Sequence, residues 1–406
     1  MTMPCDCTVN VVAISFDHDA LSLSADALNA RRNFTDTIPV PEWTTGKTLP
    51  EESPAVYTIA ETNGQNITIK AKFTFSCANC SHVEIRADGG GILGAIAPQT
   101  VTFSDPLSVP EFVPFPLHRQ IITNGGIRVE NVTWSWQYRC PGEKSWRPME
   151  TTHHRIYVVL ERPKRPWQQE PFPDNQNPWT DALDYACVWA SGKTTPEDAA
   201  AAITERVNGN LGLTYDIVAG APHYVSNDGV FELTRFLDYL KTGVGLGNIV
   251  SCTDCAAIVT TFSNLVGADL QASRMAREVV DNCNPIGFFL TPIKAIGQPG
   301  FGCPNWGCSF RFHEVAWTGG ADDDDPLFDA CVVVNGGSDP WAPPYTALLP
   351  VDIVFSTRPG APLPLSVPFT AHSYKERLGA NDAAGIGSCH PIGPWCDSRN
   401  GRRPVR

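Results

Sequence analysis

Between residues 8 and 162, apolar positions recur every second residue in short runs bounded by turn residues: Thr8–Ser15, Val56–Ile59, Ile67–Phe75, Val83–Arg86, Ile127–Gln137 and Arg155–Leu160. In one of these, Val132, Trp134, Trp136 and Tyr138 fall on a single face. A period of two sends successive side chains to opposite faces, so each run predicts a half-buried strand, and the set predicts an antiparallel β-sandwich over residues 1–165. Beyond residue 178 the period becomes helical. Trp179–Ala190, Pro196–Val207, Phe231–Leu240 and Asp254–Val266 read as helices, with Thr195 capping a helix whose first position is Pro196. After about residue 285 the strand pattern returns, at Ile286–Leu290, Phe310–Trp317, Phe328–Val334 and Val351–Phe355. Helices followed by a sheet make the second half α+β.

The stretch from Arg162 to Pro178 is rich in Pro and amides and separates the two patterns. It predicts a linker at 166–178, a second domain at 179–358 and an irregular extension at 359–406. The sandwich is immunoglobulin-like in its short, evenly spaced strands. With 42% hydrophobic residues in a chain of 406 there is ample material for a core. Thirty Lys and Arg against 43 Asp and Glu leave a net charge of −13, which repels phosphate backbones and argues against nucleic acid as a partner. No apolar run reaches the length that spans a bilayer, and the first residues lack the basic and apolar regions of a secretory signal. The expectation is a cytoplasmic protein, a reducing setting in which 14 cysteines is a high count and thiols that stay reduced serve as packing, ligands or nucleophiles. Four glycosylation sequons, at Asn33, Asn66, Asn79 and Asn131, then carry no function.

Chemistry concentrates in the run from Asn248 to Gly267. Ala256, Val259, Phe262 and Val266 mark the buried face of a helix, and Ser251 with Asp254 three residues on reads as its N-cap. Cys252 then occupies the first helical position, where free backbone N–H groups and the helix dipole favour negative charge. Asp254 opposes that charge unless its carboxylate turns away into capping. A thiol nucleophile needs an imidazole to take its proton and an acceptor to orient the imidazole. His313 in Phe310–Trp317 and Asp329 in Phe328–Val334 can supply both from neighbouring antiparallel strands.

This order resembles the transglutaminase-like branch of the papain-like superfamily, over about residues 180–355. Cys252-Thr253-Asp254-Cys255-Ala256 with Gly267 is similar to the family's nucleophile helix, His313 to its base and Asp329 to its orienting acid. Val250, Cys255 and Glu314-Val315 stand where the family commonly has Gly, an aromatic residue and Ala-Trp. The resemblance implies thiol acyl transfer on an amide of a protein or peptide substrate, as in a protease, deamidase or transglutaminase, without a cofactor. Two other readings stay open. The domain is non-catalytic and binds a partner, or Cys252, Cys255, Cys303 and Cys308 hold a structural zinc ion. For the oxyanion, the N–H of Cys252 is the first donor, with Trp189 or Asn248 as the second, and His223-Tyr224 as cleft lining. Of the remaining groups, Cys77 and Cys80 read as a turn, Asp322–Asp325 as a solvated loop and His153-His154 as a surface pair. The pairing of Cys5, Cys7, Cys389 and Cys396 is left open.

Overall fold

The computed structural model describes residues 7–16, 27–77, 80–103, 111–167, 177–276, 278–280, 284–289, 293–300, 302–305, 307, 309–319, 325–334, 374, 378, 387–389 and 401–406. The chain divides into two compact units, one of Met1–Arg162 with Gln169–Thr180 and the other of Pro163–Gln168 with Asp181–Arg406.

The first unit contains β1 (Cys7–Ser15), β2 (Trp43–Thr44), β3 (Pro54–Thr58), the short helix α1 (Ile59–Thr62), β4 (Ile67–Cys77), β5 (His82–Gly89), β6 (Ile96–Thr102), β7 (Val113–Leu117), β8 (Arg128–Arg139) and β9 (Arg147–Val159). They form two sheets, in the orders β2-β1-β4-β7 and β3-β9-β8-β5-β6. Pairing is antiparallel except between β3 and β9. One apolar cluster draws Val9, Val11, Ile69 and Phe73 from the first sheet and Val83, Ile85, Trp134, Trp136 and Ile156 from the second. Phe73 meets Trp136 edge-on, with ring centroids 5.7 Å apart. The alternating patterns thus become two layers around one core.

Two expectations fail in this unit. His154 is no surface residue: it is wholly buried in mid-strand, with Nδ1 2.8 Å from Ser53 Oγ and Nε2 2.9 Å from Thr152 Oγ1. Two hydroxyls that can each donate or accept satisfy a neutral imidazole, which is how a polar ring enters a core. Nor are the cysteines all reduced. Cys7 and Cys77 face each other in the β1–β4 register and form a disulfide, and Cys80 is disulfide-bonded too. Cystines persist in oxidising surroundings, which does not favour the expected cytoplasmic location. Among the described residues no helix is long and apolar enough to cross a membrane.

The second unit carries four helices, α2 (Thr180–Trp189), α3 (Pro196–Asn210), α4 (Leu233–Thr242) and α5 (Cys252–Leu265). Its strands are β10 (Thr214–Tyr215), β11 (Ile249–Val250), β12 (Gln271–Ala276), β13 (Glu278–Val280), β14 (Asn284–Ile286), β15 (Phe288–Phe289), β16 (Ile293–Ala295), β17 (Ser309–Phe310), β18 (His313–Trp317), β19 (Leu327–Phe328), β20 (Val332–Val334) and β21 (Gly387–Cys389). The largest sheet runs β19-β18-β12-β21, and α5 packs on β18 and β12. All of α5 is buried, on every face. Its polar side chains therefore need partners: Asn264 Nδ2 donates to Arg165 O (2.7 Å) and Leu270 O (2.8 Å), while its Oδ1 accepts the Leu270 N–H. Trp167, assigned to the linker from sequence, is also buried here and donates its indole N–H to Thr261 O at 2.8 Å. The segment Gly401–Arg406 docks in the same unit, its carbonyls accepting the N–H groups of Ala272 (3.0 Å), Phe231 (2.9 Å) and Thr234 (2.9 Å). The expected strand Val351–Phe355 lies outside the described residues.

Candidate active site

Cys252 is the first residue of α5 and is 5% exposed. Ser251 caps the helix as its pattern predicts, its hydroxyl facing the Asp254 N–H while Asp254 Oδ2 accepts the Ser251 N–H at 2.8 Å. The Asp254 carboxylate does turn away from the thiol. Oδ1 accepts the N–H groups of Tyr224 (2.8 Å) and Val225 (2.9 Å), and Oδ2 also accepts that of His223 (2.9 Å). Burial pushes the Asp254 pKa up, against the pull of these donors. His223-Tyr224 is thus tied to the base of the nucleophile helix through its backbone.

His313 opens β18 and is wholly buried. Its Nε2 lies 2.8 Å from Asp329 Oδ2. The ring stacks with Phe310 at 5.1 Å and with Tyr374 at 6.3 Å. The expected strand Phe328–Val334 breaks at Asp329, because Asp329 Oδ1 turns to accept the N–H groups of Cys331 (2.8 Å) and Val332 (3.2 Å). That turn swings the other carboxylate oxygen to the imidazole. Burial disfavours the imidazolium, but Asp329 first and Cys252 second outweigh it and push the His313 pKa up to about 10. Burial likewise works against the Asp329 carboxylate, but His313, Tyr374 and the Cys331 N–H win and hold its pKa down. Among the described residues His313 Nδ1 is buried and no group meets it in strict hydrogen-bond geometry. The Cys252 side chain still raises the pKa of the ring, by a looser hydrogen-bonding contact and then by charge. His313 and Asp329 are thus paired directly, and Cys252, at the start of α5, is among the groups that act on the imidazole.

No protein-family profile matches the chain, and no curated protein does. Among solved structures the chain is similar to the crystal structure of red sea bream transglutaminase, at 13% identity and a TM-score of 0.37, over 78% of this chain and 54% of that one. The chain spans about half the length of that protein, and a likeness at this level leaves fold and chemistry to be argued from the residues themselves.

Other expectations sort as follows. The four-thiolate zinc set does not assemble, because Cys303 is disulfide-bonded and cannot offer a thiolate; Cys308 lies outside the described residues. His313, Asp329 and Cys331 place ligand atoms within 4.8 Å of one another, yet His313 Nε2 and both Asp329 oxygens are already committed to protein partners. Neither sequence candidate for a second oxyanion donor is at the thiol. Asn248 Nδ2 donates to Gly212 O at 3.0 Å, and Trp189 meets Phe262 in a tilted contact at 4.8 Å, ten residues and so about 15 Å along α5 from Cys252. Cys255 is buried and shares a hydrogen bond with Cys331, and burial raises the pKa of both thiols, as suits core cysteines. Of Asp322–Asp325 only Asp325 is among the described residues.

Sequence reasoning missed Tyr374 and Glu314. The Tyr374 hydroxyl donates to Asp329 Oδ2 and lies 3.2 Å from His313 Nε2. It comes from far along the chain in a segment without a motif, so no spacing announces it. Glu314, wholly buried beside His313 in sequence, accepts from Thr253 Oγ1 (3.1 Å) and Arg274 Nε (3.1 Å) and forms an ion pair with Arg403. A carboxylate in a strand otherwise apolar is the signal that could have found it.

Proposed function

We propose that the chain is a cysteine-dependent acyl-transfer enzyme acting on an amide of a protein or peptide, with Cys252 as nucleophile, His313 as general base and then acid, and Asp329 orienting the imidazole. The observation that carries the reading is the asymmetry of His313. One ring nitrogen is held to a buried carboxylate, and the other, buried and outside any strict hydrogen bond among the described residues, is left to Cys252, which acts on the same ring. An orphaned buried nitrogen costs stability, and a proton shuttle to a thiol gives it a use. With its pKa raised, His313 holds at Nδ1 the proton given up by the Cys252 thiol, the thiolate attacks the amide carbonyl, and the imidazolium passes that proton to the departing amine. The N–H groups at the start of α5 face the oxyanion. Water or a second amine then resolves the thioester, giving hydrolysis or transamidation. The first unit, as an immunoglobulin-like sandwich, serves as an accessory module for holding substrate.

The test is alkylation with iodoacetamide at neutral pH, mapped by peptide mass spectrometry. Cys252 should label at least tenfold faster than Cys140, Cys187, Cys255 and Cys331, and His313→Ala should abolish that preference. Uniform slow labelling of all five thiols would remove the basis for the assignment.

A further inference from the structure

We propose that Arg403 is a positioning residue for the Cys252–His313 pair, acting through Glu314 from a segment about 150 residues downstream of the nucleophile. The inference rests on the acyl-transfer reading above, since it concerns how that pair is held. Thr253 follows Cys252 and Glu314 follows His313, so the 3.1 Å hydrogen bond from Thr253 Oγ1 to Glu314 Oε2 couples the backbone of the nucleophile to that of the base. Glu314 Oε2 takes this bond together with one from Arg274 Nε, which suits the ionised carboxylate, and a wholly buried carboxylate keeps its charge only when paired. The pairing comes from two sides. Arg274 Nε lies 3.1 Å from Oε2, and its guanidinium covers the Phe312 ring at 4.4 Å. Arg403, itself 3% exposed, brings a guanidinium nitrogen to 2.5 Å from Oε1. Burial raises the Glu314 pKa, Arg403 and Arg274 lower it, and the cations prevail.

Arg403 is delivered by a docked segment rather than by a mobile side chain. The carbonyls of Gly401 and Pro404 accept the N–H groups of Ala272 on β12 (3.0 Å) and Phe231 (2.9 Å), on either side of it. Arg402 Nε donates to Leu270 O at 2.8 Å, and Arg406 pairs with Glu232. Without the Arg403 charge, Glu314 takes up a proton or draws Arg274 off Phe312. Either change loosens the tie between Thr253 and β18, and small misplacements of a reacting pair cost rate steeply. Arg403 touches neither Cys252 nor His313 in any described contact, so its role is positioning.

The experiment compares Arg403→Met, which keeps bulk, with Arg403→Lys, which keeps charge, in the full chain. Two readouts are taken: the pH profile of Cys252 alkylation, and the titration of the His313 imidazole by NMR of ¹³C-labelled histidine, assigned with His313→Ala. Arg403→Met should slow Cys252 alkylation at least tenfold at neutral pH and lower the His313 titration midpoint, while Arg403→Lys stays within threefold. Should Arg403→Met lose its cooperative melt, Glu314→Gln supplies the same comparison. A folded Arg403→Met or Glu314→Gln protein with an unchanged His313 titration overturns the inference. Failure of the acyl-transfer reading is separately visible, as wild-type Cys252 that alkylates no faster than Cys255 although the His313 titration still responds to Arg403.

Discussion

Among the described residues two histidines are wholly buried, one in each unit, and their surroundings push them in opposite directions. His154 sees hydroxyls and no carboxylate; burial, then the charge of His153, lowers its pKa to about 3. Its unfolded value is near 6.5, so between about pH 6.5 and 3 the unfolded chain binds the extra proton. The stability it supports is complete above pH 6.5 and is lost on acidification, at up to about 1.4 kcal/mol per pH unit. His313 faces Asp329 and is raised to about 10, so its contribution is complete below pH 6.5 and is lost as pH rises through 10. Urea unfolding at pH 4.5, 7 and 9.5 should show the acid loss shrinking in His154→Gln and the alkaline loss shrinking in His313→Gln. Matching profiles for wild type and both variants would contradict these assignments. Sequence could place both residues on strands but not tell them apart. The deciding partners, Ser53 and Thr152 for one and Asp329 and Tyr374 for the other, are brought by tertiary pairing, and Ser53 and Tyr374 belong to no motif.

At the scale of elements, the helix that carries Cys252 was legible because its cap is local: Ser251 and Asp254 are three residues apart, and the helix starts where they place it. Its ending was legible too, since Gly267 adopts φ +100° just past the last turn. The burial of its polar face was not, because Asn264 is satisfied by Arg165 and Leu270 and Asp254 by the 223–225 backbone, partners that periodicity cannot see. The strands suffered the reverse error. Phe310–Trp317 and Phe328–Val334 read as continuous, yet each breaks into two short strands, the second where the Asp329 carboxylate captures the following N–H groups. Asp254 joins two elements and offers a direct test. Asp254→Asn keeps the shape but replaces one accepting oxygen by a donor facing backbone N–H groups. The expected cost is about 1–3 kcal/mol in urea unfolding. Cys252 should lose its labelling preference in the same variant, because the backbone that sets the start of α5 is no longer held. Unchanged stability and labelling would show that the helix start is held by other contacts.

At the scale of the whole chain, the division into a strand-rich first half and an α+β second half followed from the change of hydrophobic period, which local sequence records faithfully. The redox state did not follow, because pairing of cysteines depends on register. Cys7 and Cys77 are separated by 70 residues yet stand opposite each other where β1 and β4 pair. The bond closes a loop of that length, which in the chain-entropy account stabilises the fold by about 4 kcal/mol, with removal of native bridges commonly costing about 2–5. The surrounding sheet is continuous, with β1 also paired to β2 and its apolar residues in the shared core, so the strands should survive loss of the link. Cys7→Ala with Cys77→Ala should therefore leave the circular dichroism of the native protein unchanged while lowering the unfolding free energy of the first unit by about 2–4 kcal/mol, read from tryptophan fluorescence in urea. Reduction of the wild-type protein should cost at least as much, and because Cys80 is bonded separately, it should lower the double variant by less than it lowers the wild type. Equal stability of wild type and double variant under oxidising conditions would mean that this bond does not form, and with it would go the argument for an oxidising compartment that the Cys7–Cys77 pairing supplies.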